Sequence, residues 1–582
     1  MHVYAVTQLR LRVGSQKPSP KLPPPAWFNL HTETVDYGAA TIDLARNNVY
    51  FDCNFSIMPG VNNLEDGVIV VCGLPLLKDV YPKSTVSEAI QALKTADGFF
   101  AAVGYIPEQE KLSVMTDFMG VMPLFVHQTQ EGLEISTSTT GMTTEPDLSA
   151  WGALLSMGHS IGERSLARNV RRLLPGVVEY YNASGQTLGS ENYWGLPEDG
   201  NPPTTSEVAE SLRTNARDFS SVIQETSVLL SGGFDSRLIL CVLKDIGVDC
   251  EAVIVSHRDE HADNDAYLAR RIAKKLGVKA NYYEPPRDFF STNEYLSYMQ
   301  MTDAAIPSLY LFIAQVAGYV PERGVWEGLI LGNALKEAFN ADANVKNAYL
   351  IQKCQDKDSD NWTAARKVFG KDVFESMWSD FNSMISNEIN TYSESLDGIW
   401  RFVVANRMRH RVAQNPLMAY SCKGIPLLLG SSQEFWSLAS SIPTKQRSQQ
   451  GFYKSLFKQE FSLGAQVPLL SGSTLTNAGE WNLEKGFRGL LGKGHQWIKK
   501  RPRKARLLGL DPTGFEYSKL LDHPSLFEPE HKHSDMLNWE AIFKHKERGT
   551  LNASDRALLF QWKAWRWVQE GNLFKKLTYF EE

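Results

Sequence analysis

Residues 227–240 read SVLLSGGFDSRLIL: an apolar run, a turn of small residues, one acid, one arginine, and apolar residues again. Ser231, Gly232 and Gly233 follow the strand-like run directly, and a helix is predicted to begin at the residues after them. Backbone N–H groups at such a turn, with the positive end of the helix, form a cradle for an anion, and glycine lets the backbone approach a phosphate closely. Asp235 then stands where a carboxylate can hold Mg²⁺ against that phosphate. No GxxxxGK[ST] run is present, which separates this turn from the loops that serve transfer of a γ-phosphate. An ordinary strand-turn-helix connection has the same outline, so the turn alone does not decide.

Its surroundings must supply a sheet. Before it, EVAESLRTNARDFSSVI reads as a helix, and TSVLLS, DSRLILCVLKDIG, CEAVIVSH and DNDAYLARRIAKKLG then alternate strand and helix with short connections. That rhythm predicts a parallel sheet with crossover helices, whose ligands sit at the carboxyl ends of strands. The first 195 or so residues differ. GVIVVCGLPLL, GFFAAVGYI, KLSVMTDF, PLFVHQ and LEISTST are short runs of β-branched and aromatic residues flanked by Gly, Asp or Asn, which predicts a layered, mostly antiparallel β domain. PEDGNPPTTS, residues 197–206, has linker composition and marks the boundary. From about residue 300 the pattern is mainly helical, as in DNWTAARKVFGKDVFESMWSDFNSMISNEI. Trp562, Trp565 and Trp567 near the end read as packing residues.

With 582 residues the chain exceeds what one core usually organises, so two domains are expected. Hydrophobic residues at 43% and charged residues at 22% give the balance of a soluble globular protein. Sixty basic and 66 acidic side chains leave a net charge of -6, which points to neither nucleic acid nor an anionic membrane surface. KGHQWIKKRPRKARLLG, residues 493–509, is a local basic exception and reads as a solvated face. Cysteines 53, 72, 241, 250, 354 and 422 are scattered with no CxxC pair, against both a zinc site and a disulfide framework. MHVYAVTQLRLRV alternates like a strand, not a signal peptide, and no apolar run reaches the length of a membrane span. A cytoplasmic location is expected. The HKHSD cluster at 531–535 lacks the spacing and partners of a metal site.

SGGFDS matches the SGGxDS pyrophosphate loop of the asparagine synthetase family, and on it the chain resembles that family. Its members are ATP pyrophosphatases that adenylate a carboxylate and let an amine displace AMP. Three further segments are similar in the right order. DGFFAAVGYIPEQEKLSVMTDFMGVMPLFV (97–126) carries the Asp-x-x-Gly-x-x-Pro-Leu turn of the glutaminase domain. RSLARNVRRLLPGVVEYYNASGQTLGSENYW (164–194) resembles the Leu-x-Pro-Gly segment that closes with Tyr-Trp, and NDAYLARRIAKKLGV (264–278) resembles the helix after the second ligase strand. The resemblance implies an α/β protein. Residues 1–196 would form an antiparallel αββα, Ntn-hydrolase-like, glutamine amidotransferase-like domain. Residues 207–582 would form a doubly wound parallel-sheet PP-loop ligase domain, adenine nucleotide α-hydrolase-like, with a large helical C-terminal part.

The departures are equally specific. Glutamine-using members expose an N-terminal cysteine as nucleophile, whereas this chain begins Met1-His2-Val3, its nearest cysteine is Cys53, and the HRGPD segment is missing. The first domain is therefore expected to be a degenerate amidotransferase with a structural duty. ILGNALKEAFN (330–340) occupies the place of SGxGxDExFGG, so Lys336 stands for the metal-holding aspartate, Glu337 matches the next glutamate, and Asn333 falls beside the acyl site. LEKGFRG (483–489) offers Lys485 one position from the family's catalytic lysine, with Glu484 at that position itself. In ANRMRHRVAQNPLMAYSCKGIPLLLGSSQEFWSLASSIP (405–443), Gly430 replaces an acid. Arg407, Arg409 and Arg411 either face the acyl substrate or form a solvated basic face.

The resemblance thus implies an ATP- and Mg²⁺-dependent amide-forming ligase without glutaminase activity. Ser231, Gly232, Gly233 and Ser236 would cradle pyrophosphate, and backbone at Val253 and Val255 would hold the adenine. Asp235 and Glu337 would bind the metal, with Asp235, Glu337 and Lys485 catalytic. A small-molecule or peptide carboxylate and ammonia or a substrate amine are the partners expected, with no nucleic acid and with a homodimer left open. Asparagine biosynthesis, polysaccharide modification, and lasso-peptide or β-lactam-type cyclisation share this chemistry. A non-catalytic nucleotide-binding homologue is the reading from another class.

Overall fold

The computed structural model describes residues 2–13, 30–37, 40–52, 57–78, 81–130, 132–198, 200–256, 262–308, 311–336, 356–392, 396–447, 450–467, 516–529 and 536–577. Apolar residues alternate along the early strands on both faces, and that alternation sets the layering. In β5 (Val68–Leu76), Val68, Val70 and Cys72 join one core while Ile69 and Val71 join another. A strand apolar on both faces must be covered twice. One cover is the helix α1 (Val86–Lys94), whose Val86, Ala89, Ile90 and Leu93 pack on Ile69, Val71, Phe100 and Ala102. The other is a second sheet.

The first sheet contains β1 (His2–Val13), β2 (His31–Tyr37), β3 (Ala40–Asp52), β8 (Phe125–Thr129), β9 (Gly132–Ser136) and β10 (Val170–Arg172). Its order is β10-β8-β9-β1-β3-β2, antiparallel throughout. The second holds β4 (Gly60–Asn63), β5, β6 (Asp97–Ile106), β7 (Lys111–Thr116), β11 (Val177–Asn182) and β12 (Thr187–Asn192) in the order β12-β11-β7-β6-β5-β4, also antiparallel. Five of these strands fall on the five short runs read from the sequence. Helix α2 (Leu148–Met157), capped by Asp147, follows β9.

Beyond Pro197 the chain enters α3 (Thr205–Val222), started by a reciprocal capping box between Thr204 and Glu207. The five parallel strands come next: β13 (Thr226–Leu229), β14 (Glu251–Val255), β15 (Ala280–Tyr283), β16 (Gly324–Glu327) and β17 (Ile425–Leu428). Their order is β15-β14-β13-β16-β17, so the chain builds outward from β13 on one side and then returns to build on the other. Between β13 and β14 lies α4 (Asp235–Asp245), between β14 and β15 lies α5 (Ala262–Leu276), and α6 (Leu329–Leu335) leaves β16. Reversing the winding direction opens a crevice beyond the carboxyl ends of the two central strands.

The remainder is helical. The long amphipathic run from residue 360 is two helices, α7 (Asp360–Val368) and α8 (Lys371–Asn390), broken where Gly370 donates its N–H to the Met536 carbonyl at 3.0 Å. Helix α9 (Gly451–Glu460) returns to the parallel sheet, and α10 (Ala553–Gln569) buries Trp562, Trp565 and Trp567 completely, with the first two against Trp151 of α2. Among the described residues no helix is long and apolar enough to cross a membrane.

Candidate functional site

Leu230 extends β13 by one rung, donating its N–H to the Val253 carbonyl at 2.9 Å, and the chain then turns through Ser231-Gly232-Gly233-Phe234 into α4. The turn therefore stands at the carboxyl end of the central strand, at the reversal of strand order. Three of its N–H groups close the loop on the protein itself. Ser231 N–H donates to Ser236 Oγ at 3.0 Å, Gly232 N–H to Asp265 Oδ1 at 3.0 Å, and Gly233 N–H to Ser231 Oγ at 3.2 Å. The two serine hydroxyls lie 3.1 Å apart. These residues, expected to cradle pyrophosphate, shape the turn through these bonds, and Asp265 of α5 supplies a carboxylate at its rim.

Arg237, in the first turn of α4, fixes the loop from below. Its fully buried guanidinium donates to the carbonyls of Gly232 at 3.0 Å, Gly464 at 3.2 Å and Val467 at 2.7 Å. Burial lowers its pKa to about 10, so it remains charged at neutral pH. The same burial raises the neighbouring Cys241 thiol to about 12.

Asp235 is the first residue of α4, where a carboxylate meets the positive helix end. It has two partners from distant parts of the chain. Lys336, just past α6, places Nζ 2.7 Å from Oδ2, and Tyr453 of α9 donates its hydroxyl to Oδ1 at 2.9 Å. The ammonium also faces the rings of Tyr453 and Phe234, 5.2 and 5.7 Å from their centroids, and those rings meet edge to face at 5.3 Å. Burial, reinforced by the charge of Asp235, holds the Tyr453 hydroxyl well above the ordinary tyrosine pKa, so it stays a donor.

Close approach of α6 to α4 makes this possible. Gly328, at the N-cap of α6, and Gly332, within it, stand four residues apart, and Lys336 follows as the C-cap in extended backbone. A Cβ at Gly328 would lie 2.9 Å from the Asp235 carbonyl carbon and Ser236 N, and one at Gly332 would lie 2.9 Å from Asp235 Oδ2. The sequence marked Lys336 as a departure, but Tyr453, Asp265 and the two glycines were missed. The signal that could have found the glycines is GxxxGxxxK directly after a strand.

Asp235 and Glu337 were the expected metal ligands. A Mg²⁺ ion takes oxygen ligands at about 2.0–2.1 Å, yet Lys336 and Tyr453 already engage both oxygens of Asp235. Among the described residues no group of three or more His, Cys, Asp or Glu side chains is placed to hold a metal. The described residues thus do not fit Mg²⁺ on Asp235. Glu337, Lys485, the basic run at 493–509 and the HKHSD cluster lie outside the described residues.

The other expected positions are spread. Val253 spends its carbonyl on Leu230, while Val255 lies one strand period further, past the last rung shared with β13. Asn333 accepts from Arg407 Nη1 on its side-chain oxygen at 3.5 Å and from Trp400 Nε1 on its backbone carbonyl at 2.8 Å. Arg409 is interior, donating to the carbonyls of Leu173 and Gly162. Gly430 holds φ of +92°, where a side chain would be strained, and donates its N–H to Asn215 Oδ1 at 3.0 Å. A separate groove of about 1110 Å³ runs between α2, β10 and α8, and the arginines in it are paired: Arg164 with Asp147, Arg168 with Glu145, and Arg171 with Glu163 and Glu179.

Two carboxylates, Asp235 and Asp265, and one ammonium, Lys336, meet at the turn with the positive end of α4. The first-turn N–H groups of a helix have no intrahelical acceptor, and the Lys336 ammonium stands beside those of α4. An anion such as a phosphate is the group this arrangement can hold.

No family model and no curated protein matches the chain. Among solved structures it is similar to one described as the allosteric regulatory enzyme of purine biosynthesis, at 12% identity and a TM-score of 0.20, over 49% of this chain and 76% of that one. It is also similar to glutamine phosphoribosylpyrophosphate amidotransferase from B. subtilis complexed with ADP and GMP, at 10% identity and a TM-score of 0.19, over 49% of this chain and 77% of that one. Scores this low bear on neither the fold nor the function of this chain.

Proposed function

We propose that the chain is an ATP-dependent amide-bond-forming ligase of the asparagine synthetase type, without glutaminase activity of its own. The observation that carries this reading is the position of SGGFDS: at the carboxyl end of the central parallel strand, at the reversal of strand order, opening α4. In the reaction, a substrate carboxylate oxygen bonds to the α-phosphorus of ATP and pyrophosphate leaves with the electron pair of the broken bond. Ammonia or a substrate amine then attacks the acyl carbon, loses a proton and expels AMP. The chain's contribution is to position the reactants and balance charge. The α4 N-terminus and Lys336 would meet the departing phosphates, and Asp235 with Tyr453 would keep the ammonium in place. Which carboxylate and which amine are used is the finer question, and the synthetase and cyclase readings differ only there.

A second reading is favoured by the in-chain pairing of Asp235 and by the loop N–H groups bonded within the protein: a nucleotide-binding homologue that does no chemistry. Pyrophosphate release separates the two. ATP is supplied with ammonium and a panel of amino-acid and peptide carboxylates, for the native chain and for Asp235→Ala. Release that depends on a carboxylate and is lost in the variant supports the ligase. ATP binding with no release from any carboxylate supports the silent homologue.

A further inference from the structure

The Lys336 ammonium is caged. It has the Asp235 carboxylate at 2.7 Å on one side and the rings of Tyr453 and Phe234 on others, and the Gly328 and Gly332 positions bring α6, which it ends, against α4. Its side chain is 19% exposed, so the charge is held at the crevice rather than waving in solvent. We infer that Lys336 is the resident counter-ion of this site, so that the chain binds the polyphosphate of a nucleoside triphosphate without a divalent cation. The inference rests on the nucleotide reading above and goes beyond it.

Charge makes the case. A bare Asp235 at the mouth of the crevice repels a polyphosphate, and a divalent ion would be required to reverse the sign. With Lys336 in contact, the Asp235 carboxylate is neutralised by the chain itself, the α4 N-terminus adds a further partial positive charge, and the Asp265 carboxylate at the rim is engaged by the Gly232 N–H at 3.0 Å. Distance makes it exclusive. A metal within bonding range of Oδ2 would stand against the ammonium that already occupies that oxygen, and like charges that close cannot share it. Phe234 and Tyr453 give the ammonium a further reason to stay, since each ring face attracts a cation.

The experiment is titration calorimetry of ATP into the full-length protein, once with EDTA and once with Mg²⁺, with Lys336→Ala and Lys336→Arg alongside. The native chain is expected to bind ATP with affinities within about threefold in the two conditions. Lys336→Ala is expected to lose about tenfold or more in EDTA and to recover with Mg²⁺, which can then reach Asp235, while Lys336→Arg, which keeps the positive charge, is expected to show no such recovery with Mg²⁺. Native binding that is about tenfold or more tighter with Mg²⁺ overturns the inference and leaves the ligase reading standing. No ATP binding in either condition overturns the nucleotide reading itself, and the inference with it. The native comparison requires no variant to fold.

Discussion

At the scale of single residues, the site depends on two hydrogen atoms where side chains would otherwise be. Gly328 faces the backbone of Asp235 and Ser236 at 2.9 Å from its absent Cβ, and backbone cannot rotate out of the way as the end of a side chain can. Gly328→Ala is therefore expected to cost about 1–3 kcal/mol in urea denaturation through overpacking. Gly195→Ala is the control: it has open space and no left-handed φ, so a change within about 0.5 kcal/mol is expected. Equal effects at the two positions would sink the close-approach account. The turn itself was legible because its small residues and acid interrupt an apolar strand, and Lys336 was legible as a break in a motif. Tyr453 was not, since it reaches Asp235 across 218 residues of chain and no local pattern ties the two.

At the scale of elements, the basic run shows where periodicity misleads. Arg407, Arg409 and Arg411 read as alternating charge on a solvated or substrate-facing surface, but Val404–Ala413 is a π-helix, whose wider turn rotates side chains off the faces a 3.6-residue period assigns. Arg409 and His410 end up buried against the first sheet's neighbourhood: His410 Nε2 lies 2.9 Å from the Gly162 carbonyl, and Arg172 of β10 reaches the Arg409 carbonyl at 3.2 Å and Gln414 at 3.0 Å. Parallel strands and their helices, by contrast, kept their ordinary periods and were read correctly. The seam also makes a pH prediction. Burial, with Arg411 and Arg407 nearby, pushes buried His159 down to about 3, and burial with Arg172, Arg409 and His159 pushes His410 well below its ordinary value. Both histidines are neutral when folded and take up protons on unfolding in mild acid, so stability is fully present above about pH 6.5 and falls as pH drops toward about 3. His159 alone accounts for about 2 kcal/mol between pH 7 and pH 5 by urea denaturation. His159→Gln should flatten that slope, and an unchanged slope would remove His159 as its source.

Across the whole molecule, the linker-like composition of residues 197–206 suggests two units that unfold separately, and the packing argues for one. A single core continues from Leu9 of the first sheet and Val70 of the second to Val228 and Leu428 of the parallel sheet. The start of the linker is itself held, since Arg401 donates to the Pro197 carbonyl and, just before it, to the Leu196 carbonyl at 3.0 Å. Polar contacts cross as well. Asn47 donates to the carbonyls of Ser421 at 2.6 Å and Gly424 at 3.0 Å, Gly98 N–H donates to Ser431 at 2.7 Å, and Gln433 N–H donates to Asp97 Oδ1 at 2.9 Å. Asp303 concentrates this coupling: its buried carboxylate accepts from Ser138 Oγ at 2.5 Å, Thr139 N–H at 2.8 Å and Thr140 Oγ1 at 3.0 Å, all from the loop after β9. Shared core of this kind cannot be read from sequence, because apolar residues that pack across two sheets carry the same alternation as residues that pack within one. Calorimetry of the intact chain is expected to give one transition with matching calorimetric and van't Hoff enthalpies. Asp303→Ala orphans three donors and should lower that transition as a whole, by about 3 kcal/mol or more. Two resolved transitions, or a variant that shifts only one part of the melting curve, would show instead that the antiparallel and parallel sheets fold independently and that the crossing contacts merely touch.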